Sequence, residues 1–363
     1  RTHISGTGKT PFICMPVKAD AYGHGAVEIS KTALESGCSY LAVATVDEGA
    51  LLREAGIQSP ILLLSEALPD ELEMAVSYRL VPFISDIGYA ELFSRAAEKA
   101  GRDLPFNVFL KIDTGMGRLG CAPADALLLA RFIAAQKSLK QLGTATHFAV
   151  SDSESPEHMK FTRTQIALFN ETIQQIQKAG LNPGIVSAAN SGATVSYKDA
   201  LFDLVRPGIL LYGYQDARIK PPLDVKPVME LVSKIVYIKK LKSGESVSYG
   251  KTWTARNDTF IGILPAGYAD GLPRLLSGKN FHVVINGEEY PLVGRICMDQ
   301  CMIDLGPCPR VKRYDEVTLF GGKKPSCGAD DIANLTGTIS YEISCNINKR
   351  VPRLYVRKCD ESD

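Results

Sequence analysis

The chain has 363 residues, a formal net charge of +1, 45% hydrophobic and 22% charged residues, an ordinary globular composition with room for one large domain and a smaller one. Near-zero charge without a basic run argues against a nucleic-acid or membrane-surface partner, and no apolar stretch approaches the roughly 20 residues that span a bilayer. Nine cysteines, an odd number in a chain too large to depend on disulfides, read as reduced thiols in a cytoplasmic protein.

In chain order, the first two-thirds alternates short apolar runs with amphipathic stretches. The runs are Phe12–Lys18, Tyr40–Ala44, Ile61–Ser65, Leu80–Ser85, Phe106–Ile112, Leu142–His147, Ile185–Asn190 and Asp203–Tyr212. Helical patterns lie between them at 26–37, 91–101 and 161–180, each running to a glycine or close to one, as a helix C-terminus favours. Eight such units predict a (β/α)8 TIM-like barrel over 1–220. An open, doubly wound sheet is the rival. PPLDVKP (221–227) reads as a linker, and the remainder, 221–363, alternates with period two and predicts a mostly β C-terminal domain. Asn286-Gly287 marks a hairpin there, and one short helix is expected near 330–335.

A barrel places its chemistry at the C-terminal ends of its strands. Lys18 closes the first run, His147 the sixth and Asn190-Ser191 the seventh, while Arg206 lies in the eighth. KIDTGMGRLG (111–120) follows the fifth, with glycines that let backbone approach a ligand and Arg118 able to reach over it. Taken alone, each has a plainer reading. Lys18 would be a solvated rim residue, His147 a hydrogen-bonded structural group, and Arg206 a loop ion pair. Their coincidence at one end of one sheet predicts a common site. Lysine is the odd member, because an ammonium at the inner end of an apolar run is costly unless paired or chemically changed.

Other signals are set aside. GTGKT (6–10) ends like a phosphate loop, but His3 stands where its first glycine belongs. The CMDQC cysteines, Cys297 and Cys301, lack a second pair at zinc-ligand spacing, and only five histidines are present, so no metal is expected.

The segment VKADAYGHG (17–25) closely resembles the alanine racemase family of pyridoxal-phosphate enzymes. The likeness continues in order through KIDTGMGRLG, THFAVSD (146–152), AANSGA (188–193), VRPGILLYG (205–213), VSYG (247–250), GYADGLPR (267–274), GRICMDQCMI (294–303) and SYEISC (340–345). The resemblance implies an isomerase that interconverts L- and D-alanine through an external aldimine with pyridoxal 5′-phosphate, in the cytoplasm, to supply peptidoglycan. Lys18 would carry the cofactor and then act as a base. Tyr22, Ser191, Gly208, Ile209 and Tyr341 would hold its phosphate, with His147 and Asn190 beside it. Arg206 would face the ring nitrogen, where a guanidinium can only donate. Tyr249, from the partner subunit of a head-to-tail homodimer, would be the second base, tuned through His147, Arg206 and Arg274. Arg118 would bind the substrate carboxylate, oriented by a carbamylated Lys111. The partner subunit's Tyr268, with Met298 and Asp299, would narrow the entrance.

Two departures stand out. The family carries a longer segment ahead of the lysine motif than this chain, which starts at Arg1. Pro16 falls in the first strand, where a missing N–H should cost a ladder bond. Alternatives to an alanine enzyme are a racemase of the same fold that takes serine or larger amino acids, and a non-catalytic pyridoxal-phosphate carrier, which would lack the second domain.

Overall fold

The computed structural model describes residues 10–101, 104–215, 223–322 and 328–356. The start of the linker and most of GTGKT lie outside them, as does the expected boundary at 220. Two compact units are present. One takes residues 10–21, 25–211, 215 and 223–225; the other takes Tyr22–His24, Tyr212–Tyr214 and the chain from Lys226 onward.

The first unit is a closed parallel barrel of β1 (Phe12–Pro16), β2 (Tyr40–Val43), β3 (Ile61–Leu63), β4 (Leu80–Ile84), β5 (Phe106–Lys111), β6 (Leu139–Ala145), β7 (Ile185–Ser187) and β8 (Leu204–Val205). Pairing of Ile13 with Val205 closes it. Its strands are continuous apolar runs because helices cover one face and the barrel interior buries the other. Cys14, Ala42, Leu62, Val81, Phe83, Phe109, Ala145 and Leu204 fill that interior. Each large side chain so buried contributes about 1.5–3 kcal/mol. Gly143 is required here, since a Cβ would stand 2.4 Å from the Phe109 ring.

Helices Ala26–Glu35, Ile87–Ala100 and Pro156–Lys178 fall where the patterns put them. All the runs but the sixth are shorter as strands than expected, so that His147, Asn190 and Arg206 follow their strands rather than end or lie within them. The first ends at Pro16, so Lys18 lies beyond the strand. The eighth is only Leu204–Val205, because Pro207-Gly208 breaks it and Ile209–Tyr212 winds into a 3-10 turn.

Register explains Pro16. Phe12 N donates to Asp203 O on the β8 side, and Val17 N donates to Ala42 O on the β2 side, so even-numbered residues of β1 direct their N–H toward β8. That ladder has ended at Ile13. The proline nitrogen therefore sits where no strand bond is made, a position the residue tolerates.

The second unit holds a seven-stranded sheet, order β10-β13-β16-β15-β14-β17-β9, and a two-stranded one, β11-β12. These strands are β9 (Leu231–Lys234), β10 (Tyr237–Leu241), β11 (Ser246–Val247), β12 (Trp253–Thr254), β13 (Thr259–Leu264), β14 (His282–Ile285), β15 (Glu288–Val293), β16 (Cys301–Gly306) and β17 (Glu316–Phe320). Asn286 and Gly287, at φ 49° and 84°, make the hairpin turn between β14 and β15. The expected helix runs Ala329–Thr336, and a second, Ser340–Cys345, was not anticipated. Its SYEISC sequence is too short to display a helical period.

Candidate active site

The barrel brings four cationic side chains around His147. His147 follows β6, and burial, then the charges of Arg206, Lys111, Arg118 and Lys18, hold its imidazole well below its usual range. Four other expected site residues therefore lie within electrostatic reach of His147, so that four strand ends contribute to the group. Their positive field suits a ligand with phosphate and carboxylate groups.

Arg206 is buried and tied in place. Its Nη1 donates to Ser187 Oγ, and Nη2 to Thr146 O at 2.6 Å and Ala188 O at 3.4 Å. Burial lowers it to about 10, with the Cys14 thiol opposing, so it remains charged at neutral pH. Among the described residues Nε has no acceptor, which leaves that N–H of a rigid fork for a ligand atom.

Lys111 closes β5 and is buried. Burial, then Arg206, lowers its amine to about 7; Arg118 adds to this and Asp113 opposes it. Its Nζ donates to Ile112 O at 3.3 Å. Asp113, which the sequence reading passed over, organises the following loop. Its carboxylate accepts from the N–H of Gly115, Met116, Gly117 and Arg118 at 2.8–3.2 Å. Burial pushes that carboxyl up, but the four bonds outweigh it and hold it below its usual value. An aspartate ahead of two closely spaced glycines was the signal for such a turn.

Asn190 is consumed locally. Its Oδ1 accepts from Ala193 N and Ser151 Oγ, and its Nδ2 donates to Phe148 O, bracing the loop after β7 against the one after β6. Ser191 Oγ accepts from Leu210 N at 3.3 Å, which brings Ser191 to the Gly208–Ile209 turn.

Lys18 opens an unusual turn. Ala19, Asp20, Ala21 and Tyr22 all have φ near +53°, a stretch of left-handed helix that costs L-residues roughly 1–2 kcal/mol each, about 4–8 kcal/mol together. Strain of this size is kept at functional sites when surrounding contacts enforce it.

In the second unit the Tyr22 ring stands 4.8 Å from that of Tyr212 and 5.8 Å from that of Tyr341. Gly23, at φ +81°, permits this, for a Cβ would lie 2.0 Å from Ser344 O. Arg353 clamps the same turn, donating to Gly23 O, Asn348 O, Val351 O and Ile347 O. Tyr268 and the Met298-Asp299 loop also meet, through Tyr268 N to Cys297 O at 3.1 Å and Ala269 N to Met298 O at 3.0 Å. Arg350 adds a bridge, Nε to Asp270 at 2.7 Å and Nη2 to Asp299 at 2.8 Å. Tyr249 sits on an exposed turn, 70% accessible, and Arg274 begins another exposed turn. Each unit's residues form coherent groups of their own. Among the described residues no cluster of His, Cys, Asp or Glu is placed to hold a metal ion.

The donor set fits pyridoxal phosphate: an amine at Lys18, an unmatched guanidinium N–H at Arg206, a hydroxyl at Ser191 and a cationic surround. Comparison with known proteins agrees. Residues 2–216 match the family model "Alanine racemase, N-terminal domain", and 228–355 match "Alanine racemase, C-terminal domain". An alanine racemase of Treponema denticola is 49% identical over 96% of this chain and 92% of its own length. One from Treponema pallidum is 45% identical over 95% and 93%. The solved alanine racemase of Streptomyces coelicolor superposes with a TM-score of 0.90 at 36% identity, over 98% of this chain and 94% of that one. Two family domains in order across nearly the whole sequence, on the matching barrel and sheet, place this chain in the alanine racemase family of pyridoxal-phosphate-dependent isomerases.

Proposed function

We propose that the chain racemises alanine by moving protons on opposite faces of the substrate Cα, one through Lys18 and the other through Tyr249 of the partner subunit. When bound, pyridoxal phosphate supplies an electron-withdrawing ring that acidifies the Cα proton. Everything else falls to the chain. Lys18 holds the cofactor and, once substrate takes its place, removes or returns a proton on its own face. A single fixed base would return the proton to the face it left, so inversion needs the phenol opposite. We assign the positioning of that phenol to His147, Arg206 and Arg274.

Tyr22, Tyr341, Ser191 and the backbone at Gly208 and Ile209 hold the phosphate. Asn190 braces that loop. Arg118 takes the substrate carboxylate, with Lys111 as its partner once carbamylated, since two bare cations would repel. The partner subunit's Tyr268, with Met298 and Asp299, restricts the entrance to small side chains. The pairing of Lys18 with a second chain's Tyr249 requires a head-to-tail homodimer with two composite sites. Work on a wall precursor places the protein in the cytoplasm, with no nucleic acid involved. No described helix is long and apolar enough to cross a membrane.

The observation that carries this reading is Arg206, buried and bonded through both terminal nitrogens, with Nε left over. An arginine there can donate but not protonate a ring nitrogen, which disfavours transamination and favours simple proton return. Initial rates on L-alanine, L-serine and L-lysine test it. Alanine should lead by at least about tenfold. Equal rates would favour the broad-specificity reading, and no turnover of any, with cofactor bound, would favour a carrier.

A further inference from the structure

Four successive left-handed L-residues directly after the cofactor lysine need outside holds: Arg353 takes the carbonyl of Gly23 just past them, and a carboxylate holds their start from a distance. Glu48 divides its two oxygens between separate tasks. Oε2 accepts from Ala44 N at 2.8 Å and Thr45 N at 3.3 Å, while Thr45 Oγ1 accepts from Glu48 N at 3.3 Å. That closes a capping box on the helix Val46–Glu54. Oε1 accepts from Ala19 N, one residue past Lys18, at 2.6 Å. A capping box needs one acceptor and is satisfied by Glu or Gln alike. The second oxygen is surplus to the helix and committed to the lysine turn.

We propose that Glu48 is a positioning residue for Lys18, fixing the left-handed turn against the end of β2 and so setting the direction in which the lysine amine leaves the barrel. The proposal rests on Lys18 being the cofactor lysine. Asp20 makes a companion bond, Oδ1 accepting from Ala26 N at 2.8 Å, with Gly25 N donating to Asp20 O. Those bonds stay within one loop and survive its rotation as a body. The Glu48 bond instead spans 29 residues of sequence, from a neighbouring strand end, and removes that rotation.

Glu48→Gln separates the two tasks. Its lone oxygen stays with the two cap donors, and its amide then faces the Ala19 N–H, donor to donor. Thr45→Ala weakens the cap and leaves the turn alone. Parent and both variants are reconstituted with pyridoxal phosphate, and three readouts are taken: cofactor affinity, visible circular dichroism of the lysine-bound cofactor, and melting temperature. In E48Q the cofactor should bind at least about tenfold more weakly, and its dichroism should fall by about half or more while the melting temperature stays near the parent's. T45A should lower the melting temperature and leave both cofactor signals within about twofold.

Unchanged cofactor signals in E48Q, or equal changes in both variants, would overturn the proposal. If E48Q does not fold, amide exchange at Ala19 in the parent apoprotein decides. Strong protection is expected, and exchange at the rate of an unstructured amide overturns the assignment. Borohydride reduction with peptide mapping tests the underlying reading separately: label absent from Lys18 would refute the lysine assignment, whatever Ala19 shows.

Discussion

Burial and the nearby Arg206 guanidinium together hold the His147 imidazole below its usual range. Burial is the first cause of the depressed imidazole, and the Arg206 guanidinium is the largest of the charges acting on it. The unfolded histidine titrates near 6.5, so on acidification below that value the unfolded chain takes up a proton the native one refuses. Native stability should then fall with a slope of up to about 1.4 kcal/mol per pH unit, until the folded value is passed. Urea unfolding between about pH 5 and 6.5 should show this slope flattened in His147→Gln. An unaltered slope would mean that another group titrates.

Lys111 should react with carbon dioxide. An amine lowered to about 7 is substantially free base at neutral pH, the form that adds CO2; the addition releases one proton and leaves a carbamate anion as counter-ion to Arg118. Intact mass under bicarbonate should show one added CO2 that acid removes. Lys111→Gln should reduce kcat/KM for alanine by about 10- to 100-fold, mostly through KM, as loss of a charge-assisted bond requires. In CO2-free protein the native lysine binds its proton less readily than the unfolded one. Stability should then climb as pH rises from about 7 toward 10.5. A KM indifferent to both bicarbonate and the substitution would contradict the pairing.

Arg350 should govern selectivity more than stability. It is exposed, and its two ion pairs, with Asp270 and Asp299, are screened by solvent and add little to stability. They nonetheless join the Tyr268 turn to the Met298-Asp299 loop. Arg350→Lys cannot reproduce the fork. The melting temperature should shift little, while the preference for alanine over serine and lysine narrows about threefold to tenfold. A large stability loss with unchanged preference would make the bridge merely structural.

The barrel was legible because parallel strands buried on both faces are written as plain apolar runs, and those runs were separated by helical patterns. Where the runs end was less so. Ile209–Tyr212 is as apolar as a strand, yet Pro207-Gly208 turns it into a 3-10 loop, and Pro16 rather than Lys18 ends β1. The left-handed turn had no visible mark, since Ala19, Asp20 and Ala21 give no sign of adopting positive φ. Asp113 could have been found from the glycines that follow it. Glu48, Arg350 and Arg353 could not, because their partners are distant in sequence and only the folded chain brings them near.

Opposed proton transfer is the central claim, and Tyr249→Phe in deuterated water measures it most directly. Starting from each enantiomer separately, Cα deuterium incorporation should stay near the parent rate for the enantiomer whose proton Lys18 removes. For the other it should fall by about 10²–10⁴-fold, the range for loss of one acid–base group, with racemisation slowed in both directions. Equal exchange from both enantiomers at the parent rate would contradict the assignment of Tyr249.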